Sequence, residues 1–136
     1  MSIDFGSAAA GAQVIIVDDN ADAAMSLTML LQLEDIASAA APDAEAALRM
    51  VERSAPPLLL IDIGLPGMNG FELAKRLRQL STTRNSTLIA LTGREMHPGQ
   101  GEIASMAFDQ YWTKPFDPKQ LLKEVKAILN RADSAL

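Results

Sequence analysis

Residues 58–70 read LLLIDIGLPGMNG. Leu58–Ile61 is apolar without alternation, which suits a short strand buried on both faces of a parallel sheet. The run stops on a carboxylate, Asp62. Gly64, Pro66, Gly67, Asn69 and Gly70 follow as a loop rich in turn-forming residues, and Leu73, Leu77 and Leu80 then recur at helical spacing. Buried strand, polar end, loop and amphipathic helix together make the repeating unit of an α/β sheet.

The same unit appears on either side. Upstream, Val14–Val17 is another continuous apolar run and ends in Asp18-Asp19. Asn20 is placed as a helix N-cap, with Ala23, Leu27, Leu30 and Leu31 behind it. Ile36–Ala40 predicts a weaker, alanine-rich strand. Pro42-Asp43 opens a helix with Ala44, Ala47, Leu48 and Val51 on one face, and Pro56-Pro57 closes that unit. Downstream, Thr87–Leu91 predicts a fourth strand ending at Thr92-Gly93, and Phe108–Trp112 a fifth leading to Lys114. Between them Ile103, Met106 and Ala107 offer one buried edge of a helix that Pro98, Gly99 and Gly101 weaken. Asp117, Pro118 and Gln120 predict an N-cap, a first helical position and a capping-box partner. Leu121, Leu122, Val125, Ile128 and Leu129 form the apolar face of that last helix. Five such units in succession predict a doubly wound, five-stranded parallel sheet with helices on both faces.

Composition narrows the function. The 136 residues are 49 % hydrophobic and 21 % charged, enough for one buried core and a solvated surface. Net charge is -5, and no Lys or Arg precedes Arg49. An acidic N-terminal third argues against direct nucleic-acid binding and against a secretory leader. No apolar run approaches the roughly 20 residues that span a bilayer, so no membrane partner is expected. With no cysteine, thiol catalysis and cysteine-ligated zinc are excluded. A soluble cytoplasmic protein is the expectation.

The chemistry collects at strand ends. Asp18 and Asp19 end the first predicted strand, Asp62 the third and Thr92 the fourth, and Lys114 follows the fifth. In sheets of this kind the ligand site lies beyond the carboxyl ends of the strands. Carboxylates crowded together repel, and a hard divalent ion such as Mg2+, which prefers oxygen ligands and phosphate, relieves that. Lys114 supplies a positive charge for a phosphoryl oxygen, Thr92 a hydroxyl and Gly93 an unobstructed backbone N–H. These parts suit phosphoryl transfer, which needs positioning and charge neutralisation, with a carboxylate as nucleophile.

Asp18-Asp19, Asp62 with Pro66 and Gly70 downstream, Thr92-Gly93 and Lys114-Pro115-Phe116 resemble, in this order, the receiver domains of bacterial response regulators. The resemblance covers residues 13–130, leaving 1–12 as a flexible N-terminal tail and 131–136 as a C-terminal tail. It implies a flavodoxin-like sheet in strand order 2-1-3-4-5 with five helices. It implies that Asp62 accepts a phosphoryl group from a phosphohistidine on a sensor histidine kinase or histidine phosphotransfer protein. Asp19, Asp62 and the backbone carbonyl of Gly64 would ligate Mg2+, with Asp18 helping directly or through water. Lys114 and Gly93 would contact the phosphate, and Pro115 would follow a cis peptide bond. Thr92 would move towards the phosphoryl group and Tyr111 would swing inward behind it. That would reshape the face built from the fourth helix, fifth strand and fifth helix for a downstream protein target. The activity implied is signalling, with self-phosphorylation and autodephosphorylation and no external metabolite turned over.

Other readings fit less well. An aspartyl-phosphate, Mg-dependent phosphatase places an acid/base two residues after its nucleophile, where this chain has Gly64. A flavin module needs a phosphate-cradling loop after the first strand, where this chain has Asp18-Asp19-Asn20. A calcium loop starting at Asp18 fails at Ala23 and Met29. A receiver-like interaction module that is never phosphorylated is the remaining alternative. Asp22, Ser26 and Met29 share a helical face expected to touch the kinase partner. Arg94 is expected to influence hydrolysis, and His97 is given no role.

Overall fold

The computed structural model of the protein describes residues 11–93 and 107–134. Its elements are β1 (Val14–Val17), α1 (Ala21–Leu33), β2 (Ser38–Ala41), α2 (Ala44–Val51), β3 (Leu58–Asp62), α3 (Gly70–Gln79), β4 (Thr87–Thr92), β5 (Gln110–Thr113) and α4 (Pro118–Ser134). The strands form one sheet in the order β2-β1-β3-β4-β5, and every neighbouring pair is parallel. This is the doubly wound, flavodoxin-like topology. The described residues carry four helices; of the additional helix expected over 94–107, residues 94–106, with Arg94 and His97, lie outside the described residues, and Ala107 is a turn residue.

The uninterrupted apolar runs have a direct cause. Successive side chains of a strand point to opposite faces, and here both faces are covered. Ile15, Val17, Leu59, Ile61, Leu88 and Ala90 pack against α2 and α3. Val14, Ile16, Leu58, Leu60, Ile89 and Leu91 pack against α1 and α4. All of these strand side chains are fully buried. Among the described residues no helix is long and apolar enough to cross a membrane.

Helix starts follow the capping residues. The side chains of Asn20, Asp43 and Asn69 accept from the backbone N–H groups of Ala23, Ala46 and Glu72. Asp117 receives the Lys119 N–H at 3.0 Å. Gln120 does not complete the expected capping box: its amide reaches forward one turn to Glu124 instead.

Several boundaries differ from the sequence expectation. Ile36 belongs to the end of α1, not to β2: its N–H returns to Leu31 O, while that of Asp35 returns to Gln32 O. Asp35 sits at φ 60, so the pair forms a Schellman closure with Ile36 against Leu31 in the core. β5 begins at Gln110 rather than Phe108. Phe108 turns into the core, and the Asp109 carboxylate is drawn onto the Leu88 N–H and Arg78. α3 ends at Gln79, leaving Leu80 on the surface as its C-cap, because the Thr83 hydroxyl takes the Leu77 carbonyl. α4 runs past Asn130 to Ser134, since nothing from Arg131 onward interrupts a helix. Ala12, expected in the tail, is buried in the core.

Candidate functional site

The order in which strands are added reverses between β1 and β3: β2 lies on one side of β1, and β3, β4 and β5 lie on the other. At this switch point the loops after the two strands diverge and leave a crevice. Asp18 lies directly after β1, and Asp62 is the last residue of β3. Asp18, Asp19 and Asp62 each present a carboxylate oxygen within 4.8 Å of the others. Asp18 is buried and Asp19 exposed; Asp62 lies between, with 17 % of its side chain accessible.

Lys114 closes the crevice from the β5 side. Its Nζ lies 3.4 Å from Asp18 Oδ2 and 3.5 Å from Asp62 Oδ2. The remaining oxygens of these carboxylates are held by backbone: Asn20 N–H donates to Asp18 Oδ1 at 2.9 Å, and Gly64 N–H donates to Asp62 Oδ1 at 2.9 Å. Burial pushes the Asp18 carboxyl above its ordinary value, and the neighbouring Asp62 charge adds to this. The Asn20 N–H and Lys114 act in the opposite sense. Three carboxylates against one ammonium form a hard-oxygen, net-negative donor set, and its chemistry fits a divalent cation such as Mg2+.

Thr92 ends β4 and is 1 % exposed. Lys114 N–H donates to Thr92 O at 2.8 Å, carrying the β4–β5 ladder one step beyond Thr113. The Lys114–Pro115 peptide bond is cis. Gly93 is half-buried, and a Cβ there would meet nothing within 4 Å, so the space beside its backbone is open. Tyr111 lies farther along β5, on the α2/α3 side. Its ring packs edge-on against Phe108 at 5.6 Å, and Phe108 in turn packs against Phe71 at 6.0 Å. The fold thus brings Asp18, Asp19, Asp62 and Lys114 into one cluster, with Thr92 joined to it through the Lys114 backbone.

Two contributors are poorly marked in the sequence. Gly70 reads as a turn residue, yet it opens α3 against the end of β3: a Cβ there would stand 2.7 Å from Asp62 O. Only the missing side chain allows this approach, and the Gly70 N–H donates to Ile63 O at 3.0 Å. Thr113 carries no motif, and only the strand register places it opposite Thr92.

Fold and rim together define a doubly wound α/β protein with an acidic, lysine-capped crevice at its topological switch. The chain belongs to the response regulator receiver domain family, whose model matches residues 14–126. It is 35 % identical over 113 residues to an uncharacterized 14.6 kDa protein from the sodA1 3' region of Leptolyngbya boryana, covering 83 % of this chain and 86 % of that one. It is 31 % identical over 121 residues to the phosphate regulon transcriptional regulatory protein PhoB of Pseudomonas aeruginosa. That match covers 89 % of this chain and 53 % of PhoB, so the chain spans about half the length of this relative. Among solved structures it is similar to the Vibrio cholerae chemotaxis protein CheY4, with TM-score 0.78 and 25 % identity, covering 86 % of this chain and 98 % of the other.

Proposed function

We propose that this receiver domain is a phosphorylation switch whose acceptor is Asp62. The observation that carries the reading is the position of Lys114 Nζ, within 3.5 Å of both the Asp18 and Asp62 carboxylates at the sheet's switch point. An Asp62 oxygen attacks the phosphorus of a phosphohistidine. The P–O bond forms as the P–N bond breaks, and the imidazole leaves with the electron pair. Lys114 and the Gly93 N–H receive the phosphoryl oxygens. Asp18, Asp19, Asp62 and the Gly64 carbonyl are the residues that would hold Mg2+, which supplies charge neutralisation for the carboxylates and the phosphoryl group. Thr92 then turns towards the phosphoryl oxygens and Tyr111 follows, altering the face made by β5 and α4 that a downstream protein reads.

The donor is a histidine kinase or histidine phosphotransfer protein, and its docking face is the outer side of α1. Met25, Met29 and Leu33 lie there one turn apart, 59 %, 58 % and 79 % exposed. Such an apolar stripe beside a charged crevice suits a partner helix. Transfer from a phosphorylated histidine protein tests both parts. Asp62→Asn is expected to abolish it, and Met29→Lys to slow it at least severalfold while leaving phosphorylation by acetyl phosphate unchanged. Transfer to Asp62→Asn at the parent rate would refute the acceptor assignment. Full-speed transfer to Met29→Lys would refute the docking face.

A further inference from the structure

Thr92 and Thr113 are register partners in the β4–β5 ladder. The Thr92 side chain is buried, and its hydroxyl donates to Thr113 Oγ1 at 3.5 Å. A buried hydroxyl requires a partner, and Thr113 provides one from β5, on the side of β4 away from Asp62 on β3. The separation exceeds the about 2.5–3.0 Å of a strong hydroxyl pair, so the bond is weak and readily exchanged. Thr113 itself is exposed, so water replaces Thr92 when the pair parts and no buried group is orphaned. Meanwhile Lys114 N–H holds the Thr92 carbonyl at 2.8 Å, so the backbone stays in the ladder and the exchange is a rotation of the Thr92 side chain.

We propose that Thr113 is a positioning residue of the switch: it holds the Thr92 hydroxyl on the β5 side until a phosphoryl group on Asp62 draws it away. This rests on the acceptor role of Asp62 and the switch role of Thr92 proposed above. The resting state gains a hydrogen bond that the phosphorylated state lacks, so Thr113 opposes activation and sets its threshold.

Beryllium fluoride with magnesium, a mimic of the phosphoryl group on a carboxylate, provides the test. The midpoint of its titration is read by fluorescence of Trp112, the chain's single tryptophan, and independently by calorimetry. Thr113→Val, which keeps the shape and removes the acceptor, is expected to lower the midpoint about two- to fivefold. Thr113→Ser is expected to remain at the parent value. In a Thr92→Val background, Thr113→Val is expected to change nothing. An unchanged midpoint for Thr113→Val, or a shift that persists without the Thr92 hydroxyl, overturns the role of Thr113 while the acceptor stands. A parent protein that fails to bind beryllium fluoride and gains no mass from acetyl phosphate overturns the acceptor reading, and this inference with it.

Discussion

Asp18 is the residue at which the site works against the fold. Its side chain is almost wholly buried at 1 % exposure, and burial raises its carboxyl above its ordinary value. The folded chain therefore holds this proton more tightly than the unfolded chain does. Stability from this group is complete below the unfolded value and is lost as pH rises through the raised one. Asp18→Asn removes that dependence and keeps an oxygen for the Asn20 N–H. In EDTA at pH 7 the variant is expected to melt above the parent, with the gap narrowing towards about pH 4. A lower melting temperature at pH 7, or a gap indifferent to pH, would show that Lys114 already compensates the buried charge. A buried carboxylate raised above its ordinary value at the switch point is the pattern expected where a site is built for function.

At the scale of elements, α1 ends on an unfavourable residue. Asp35 occupies the left-handed position of the Schellman closure at φ 60, where glycine has no Cβ to strain. Asp35→Gly is expected to stabilise the protein by about 0.5–1 kcal/mol, read as a raised urea midpoint with an unchanged slope. Equal or lower stability would mean that the Asp35 side chain makes a contribution the backbone geometry does not reveal. The same closure explains why the second strand was hard to place. Ile36 is apolar and buried, as a strand residue should be, but it serves the helix before it. β5 is displaced for a similar reason. The Arg78 guanidinium, on α3, binds Ser86 O at 2.6 Å, Ala107 O at 2.9 Å and Asp109 Oδ2 at 2.8 Å. The Asp109 N–H still donates to Leu88 O, but its carboxylate, held by Arg78, takes the Leu88 N–H in place of a backbone carbonyl, and local pattern carries no trace of this contact between distant segments. Caps were easier to read, because Asn20 and Asp43 act within four residues of themselves.

Across the whole molecule, the topology was legible because β1, β3 and β4 are apolar on both faces, and only a sheet covered on both sides accepts such strands. The candidate site was legible for the same reason: the polar residues stand where those runs stop, and parallel strands carry all their carboxyl ends to one rim. Close approach was not legible. Gly70 against the Asp62 carbonyl and Thr113 opposite Thr92 depend on register and packing, which only the assembled sheet defines. The central proposal is that Asp62 accepts a phosphoryl group with the aid of Asp18, Asp19 and Lys114. Intact-protein mass after incubation with acetyl phosphate and magnesium tests this directly, with Asp62→Asn alongside. A gain of about 80 Da, one phosphoryl group on a carboxylate, confined to the parent and absent with EDTA, is the predicted result. No gain in the parent, or an equal gain in Asp62→Asn, would contradict it.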